Sequence, residues 1–229
     1  MNPEKGPGIN EFMDWFLSEE GAAPPPANEP AVMKKVCMLG DPGVGKTSLV
    51  ARFVFSTFDD RYIETIGAKV VKRTMAVERV ATGERYRLKL IIWDIAGQRT
   101  LDFIKPTYYR DAEGALIVAD LTRRETLGNV PRWCASVRNV CGEIPVVLVV
   151  NKSDLSSHAQ FTEEDAGAVA RGMGAELFMS SAKTGENVER AFGTLGRALL
   201  RATLNRDRGA PTSPSRAADG GPESSRQGG

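Results

Sequence analysis

Cysteine is scarce in this chain of 229 residues: there are three, Cys37, Cys134 and Cys141. Their number is odd and their spacing is not that of a metal site, so neither a disulfide framework nor a zinc module is expected. They suit a reducing compartment, with the thiols packed as small apolar groups. Charge of one sign is also lacking. The formal net charge is +1, which gives no ground for a general nucleic-acid or membrane-surface binder. No apolar run reaches the length of a membrane span. The N-terminus has no basic region followed by an apolar stretch, so no secretory signal is read there, and a cytoplasmic protein is the default expectation.

What the chain does contain is Gly40-Asp41-Pro42-Gly43-Val44-Gly45-Lys46-Thr47, then Ser48. The pattern is G-x-x-x-x-G-K-[ST], and it stands between an apolar run, Lys34–Leu39, and a segment of helical composition, Lys46–Phe55. Strand, glycine-rich turn and helix start are the context of a phosphate-cradling loop. Glycine lets the main chain close on an anion that a Cβ would hold off. The helix start offers unpaired N–H groups and a positive dipole end. Lys46 supplies a point charge for the outer phosphates and Thr47 a hydroxyl for Mg²⁺.

Strand and helix signals alternate from Met33 to about Leu204. The pattern predicts strands at Lys34–Leu39, Gly67–Arg79, Tyr86–Trp93, Gly114–Ala119, Val146–Val150 and Glu176–Met179. Helices are predicted at Lys46–Phe55, Leu101–Tyr109, Glu125–Val140, Glu163–Gly172 and Val188–Leu204. Two of the strands, Ala115–Ala119 and Val146–Val150, are apolar throughout, as strands covered on both faces must be. Ala81-Thr82-Gly83-Glu84 between the second and third strands is a hairpin signal, so one strand should run antiparallel. Thr162 and Asp165 have capping-box spacing. The fold class is therefore α/β: a doubly wound, six-stranded, mostly parallel sheet that binds ligand at the carboxyl ends of its strands.

Residues 1–32 are read as an extension. Ile9, Phe12, Met13, Phe16 and Leu17 form an apolar helical stripe, and Pro24-Pro25-Pro26 marks a stiff linker. The stripe can dock on the chain's own domain or on a partner. Residues 205–229, rich in Gly, Pro, Ser and Arg, are read as disordered. That tail carries no cysteine and hence no prenylation site.

Three further stretches carry chemistry. Leu90-Ile91-Ile92-Trp93-Asp94 ends a strand in an acid, which places a carboxylate near Mg²⁺ through water. In the following Ile95-Ala96-Gly97-Gln98, Gly97 can bring a main-chain N–H to a terminal phosphate and Gln98 can orient an attacking water. Asn151-Lys152-Ser153-Asp154 follows the fifth strand. The Asp154 carboxylate can accept from N1–H and the exocyclic amine of guanine, a donor pair that adenine lacks. After the last strand, Ser180-Ser181-Ala182-Lys183 can offer a main-chain N–H to guanine O6.

Taken together, these motifs resemble the Ras superfamily of small GTPases, most closely its Rab branch, over Met33 to Leu204. The resemblance implies a P-loop NTPase G domain that binds GTP and Mg²⁺ and hydrolyses GTP to GDP. It implies that Thr65 joins Thr47 on Mg²⁺ when the terminal phosphate is present. It also implies that Phe58 stacks on guanine, that Tyr62 lies over the phosphates and that Gln98 positions the water. Lys46 and Gln98 would be the catalytic pair. Trp93, Tyr108-Tyr109-Arg110 and Trp133 sit where Rab proteins carry packing and partner-binding residues. A GTPase-activating protein, an exchange factor and effectors are the implied partners, with a mostly monomeric protein, no nucleic acid and no direct lipid anchor.

The sequence also departs from the family pattern. Pro42 stands where Ras proteins have glycine and Rab proteins often serine. Arg99 replaces an acid, and the lipid-bearing tail is missing. Pro42 and Arg99 leave a second reading open: a nucleotide-locked scaffold that scarcely turns over and acts through its N-terminal helix.

Overall fold

A computed structural model describes residues 29–56, 68–79, 81–95 and 108–209, with the side chains of 207–209 left out. The N-terminal stripe, most of the helix expected at Leu101–Tyr109, the tail beyond Gly209, and Phe58, Tyr62, Thr65, Gly97, Gln98 and Arg99 lie outside the described residues.

Six strands, β1 (Ala31–Leu39), β2 (Ala68–Glu78), β3 (Arg85–Ile95), β4 (Gly114–Asp120), β5 (Val146–Asn151) and β6 (Glu176–Met179), form one sheet in the order β2-β3-β1-β4-β5-β6. Among the described residues only the β2–β3 pair is antiparallel. Its register runs from Ala68 opposite Ile95 to Glu78 opposite Arg85. The turn that closes it has Gly83 at φ +70° and N–H bonds from Thr82 and Gly83 to the Arg79 carbonyl, so the expected hairpin is present. β1 begins at Ala31 rather than Lys34, because Ala31, Val32 and Met33 pair in register with Arg87, Leu88 and Lys89.

The helices are α1 (Lys46–Phe55), α2 (Arg124–Cys141), α3 (Glu163–Gly172) and α4 (Val188–Gly209). α3 starts in the expected capping box: Thr162 Oγ1 accepts from Asp165 N–H, and Asp165 Oδ2 accepts from Thr162 N–H. α4 runs to Gly209, past the helix end expected at Leu204. Asn205 to Arg208 hold no helix breaker, and arginine near a helix C-terminus favours the dipole.

Every residue of β4 and β5 is buried, which follows from apolar layers on both faces. One layer joins α1 and α4 to the sheet through Leu49, Phe53, Phe192, Leu195 and Leu199. Phe53 and Phe192 stack with ring centroids 3.9 Å apart. The other layer sets Trp133, Val130 and Val137 of α2 against Cys37, Ile117 and Leu148. Gly114 is where α4 presses on the sheet, since a Cβ there would stand 3.0 Å from Leu199 Cδ2. The three thiols are free; Cys37 and Cys134 are buried and Cys141 is half-buried. Burial pushes the Cys37 thiol up to about 12.

The strand order reverses at β1, with β3 on one side and β4 on the other. The crevice beyond the carboxyl ends of those strands is the ligand position of such sheets. The glycine-rich loop leaves β1 at that point.

Candidate nucleotide site

Two glycines allow the loop its path. Gly40 has φ +132°, and a Cβ there would lie 2.2 Å from the Val118 carbonyl oxygen of the neighbouring strand. Gly45 has φ +97°, and its Cβ would lie 2.2 Å from Asn151 Nδ2. Gly45 occupies the N-cap of α1 with no side-chain cap, and the first turn carries no acid. The positive dipole end of such a turn favours an anion. Lys46 is buried, and its Nζ donates to the carbonyls of Gly40 at 2.7 Å and Asp41 at 2.9 Å. Burial lowers its pKa to about 8, against the pull of Asp94 and Asp41. An ammonium held on main-chain carbonyls is poorly compensated and favours a phosphate close by.

Thr47 Oγ1 donates to Asp94 Oδ2 at 2.5 Å, which joins the loop to the end of β3. Asp94 is buried, and burial raises its pKa. Its Oδ1 is buried with no hydrogen-bond partner among the described residues. An orphaned carboxylate oxygen beside a threonine hydroxyl is a hard oxygen donor set, the kind that Mg²⁺ takes directly or through water. The residues present therefore fit that ion.

On the opposite side of the crevice, Asn151 ties three loops together. Its Nδ2 donates to the Val44 carbonyl at 2.8 Å, and its Oδ1 accepts from Ala182 N–H at 3.0 Å. The amide predicted to bind nucleotide thus frames the site. Asp154 is exposed, and its Oδ1 accepts from Ser181 Oγ at 2.6 Å. Its second oxygen has no partner among the described residues. Arg52 of α1 donates through Nε to the Ala182 carbonyl at 2.8 Å and through Nη2 to the Lys183 carbonyl. The loop 181–183 is therefore fastened to the helix that follows the phosphate loop. Lys152 holds φ +69°, a left-handed conformation that costs a non-glycine residue about 1 kcal/mol.

The structure brings Asp41–Ser48, Asp94, Asn151–Asp154 and Ser181–Lys183 to one edge of the sheet. Four contributors were not singled out from the sequence: Asp120, Arg123, Asn129 and Trp133 in this second role. Trp133 is buried, and its Nε1 donates to Asp41 Oδ1 at 2.8 Å. Asn129 Nδ2 donates to Asp41 Oδ2 at 2.8 Å. Arg123 Nη2 donates to the Pro42 carbonyl at 2.8 Å. Asp120 carries the same signal as Asp94, an apolar strand ending in an acid, and could have been found that way.

The model of the Ras family matches residues 35–201. The chain belongs to the Ras family. Its relatives within that family include Ras-related protein Rab-13 of Mesocricetus auratus, 36% identical over 182 residues, which span 79% of this chain and 87% of that protein. GTP-binding protein ypt5 of Schizosaccharomyces pombe is 38% identical over 188 residues, spanning 81% and 87%. Ras-related protein Rab11C of Lotus japonicus is 37% identical over 162 residues, spanning 70% and 72%. This Ras-family protein is a Rab-like small GTPase, a GTP-binding and GTP-hydrolysing switch. The locked scaffold is the less favoured reading. Proteins of the family generally bind guanine nucleotide with Mg²⁺ and act with regulators and effectors. Among the described residues no helix is long and apolar enough to cross a membrane.

Proposed function

We propose that this GTPase holds GTP between Gly40–Ser48 and the two loops Asn151–Asp154 and Ser181–Lys183. The observation that carries the reading is a pair of buried charges facing each other across the loop: a Lys46 ammonium resting on carbonyls, and an Asp94 oxygen with no hydrogen-bond partner among the described residues. A phosphate and a cation complete both. Lys46 binds the outer phosphates, and the first-turn N–H groups of α1 orient them. Thr47, Thr65 and, through water, Asp94 would hold Mg²⁺, which supplies neutralisation of phosphate charge when bound. Asp154 selects guanine through its donor pair, with Ala182 N–H reaching O6, and Phe58 and Tyr62 close over base and phosphates.

Gln98 orients the water for in-line attack, and Gly97 senses the terminal phosphate. Loss of that phosphate releases the contacts at Thr65 and Gly97, so two loops change state. Turnover without an activating partner is expected on the order of 10⁻⁴ to 10⁻³ per second. A GTPase-activating protein, an exchange factor and effectors would complete the cycle. The test is calorimetric titration with GTP and ATP, with phosphate release measured for Gln98→Leu. Guanosine selectivity with release slowed at least tenfold is expected; equal affinity for the two nucleotides, or an unchanged rate, would reject the corresponding role.

A further inference from the structure

We propose that Arg123 and Trp133 are positioning residues of the phosphate loop, and that Asp120 couples that loop to the guanine-selecting segment. This rests on the proposed function and adds a frame to it. Each main-chain turn of a phosphate loop must stay open without its ligand, although glycine makes it pliable. Here the two residues between Gly40 and Gly43 are gripped from α2 and from its N-cap residue, Arg123. Both oxygens of the Asp41 carboxylate are used, one by Trp133 Nε1 and one by Asn129 Nδ2, each at 2.8 Å. Pro42 has no N–H to give. Its carbonyl accepts from Arg123 Nη2 at 2.8 Å. The same guanidinium donates through Nε to Asp120 Oδ2 at 3.0 Å. A planar fork holds a carboxylate and a carbonyl in one fixed relative geometry; an ammonium, a single point with rotating donors, does not fix that geometry.

Asp120 is wholly buried at the end of β4. Besides Arg123 it receives Lys152 Nζ on Oδ2 at 2.5 Å. Its Oδ1 accepts from the N–H and Oγ1 of Thr122 at 3.0 and 2.7 Å. One carboxylate therefore joins the phosphate side, through Arg123 and Pro42, to the base side, through Lys152.

The measurement is release of a fluorescent GDP analogue from the full-length Mg²⁺-loaded protein, beside thermal unfolding of the nucleotide-free protein. Arg123→Ala is expected to speed release about tenfold or more, the weight of a hydrogen bond from a charged group. Arg123→Lys is expected not to rescue it. Trp133→Phe keeps the packing and removes only the N–H, and it too should speed release. Asp120→Asn combined with Arg123→Ala should release no faster than the more affected single variant, because the two act through one connection.

A merely structural role would lower the unfolding temperature and leave release at the wild-type rate; that result overturns the proposal, and full rescue by Arg123→Lys overturns the fork. Additive effects in the double variant remove the coupling. If wild type binds the analogue and every variant releases it at the same rate, the positioning role alone fails. If wild type does not bind it, the proposed function fails with it.

Discussion

Gly45 and Asp94 are both tightly constrained, and they differ in kind. Gly45 is fixed by geometry: its φ of +97° disfavours any side chain, and a Cβ would run into Asn151 Nδ2 at 2.2 Å. Gly45→Ala must push Asn151 away from the Val44 carbonyl. The expected cost is about 2 kcal/mol, or roughly 4–8 °C in the unfolding temperature of a domain of this size, with loss of GTP binding. An unfolding temperature equal to wild type would show that the loop relaxes without strain. Asp94 is constrained by charge. Its carboxylate is buried, burial raises its pKa, and one oxygen has no partner among the described residues. The ionised form therefore weakens the empty protein at neutral pH, since a raised carboxyl pKa means that the folded state disfavours the charge it carries above that pKa. Asp94→Asn should leave the nucleotide-free protein, in a chelator, as stable as wild type or more so, and should abolish the stabilisation that Mg²⁺ gives to the nucleotide complex. Thermal unfolding with and without Mg²⁺ checks both halves. A variant that still gains stability from Mg²⁺ would remove Asp94 from the ion's surroundings.

Among the elements, α1 and α4 hold the ligand side and the back of the sheet together. The phosphate loop opens α1, and α1 leans on α4 through Phe53 against Phe192, with centroids 3.9 Å apart and planes within 1°. Phe192 is fully buried. Phe192→Ala should cost about 3–5 kcal/mol through lost transfer energy and the cavity left behind. Urea unfolding should show the midpoint falling while the slope is unchanged. A loss below about 1 kcal/mol would mean that the neighbouring side chains close the gap. The helix starts were readable to differing degrees. Thr162 with Asp165 announces α3 by local hydrogen bonding alone. The start of α1 carries no such side-chain cap, since Gly45 stands at its N-cap. The span of α2 was also legible, although Pro131 sits inside it. What α2 does was not: Asn129 and Trp133 reach Asp41 only because β4 and the helix after it return beside β1.

For the whole molecule, the buried Asp120 ties its stability to pH. Burial alone would raise this carboxyl's pKa, but hydrogen bonds from Lys152 and Thr122 together outweigh it and hold the value below the ordinary one. The unfolded chain then binds a proton at a higher pH than the folded one. The stabilisation is complete above the ordinary carboxylate pKa, about 4, and is lost as pH falls through the lowered value. The stability gap between wild type and Asp120→Asn should accordingly shrink below about pH 4. Denaturant midpoints at a series of pH values measure it, and a gap independent of pH would detach Asp120 from the acid limb. The sequence by itself determined the alternation of strand and helix, the antiparallel hairpin, and the short motifs that resemble a nucleotide site. These follow from apolar period, glycine placement and residue spacing, all of which act over a few neighbouring residues. Only the tertiary structure decided that Asn151 braces Val44 and Ala182, that Asp41 is held by Trp133 and Asn129, and that Asp120 receives both Arg123 and Lys152. Those bonds join residues far apart in the chain. No local preference encodes them, because they exist only once the order β3-β1-β4-β5 has set the strand ends side by side.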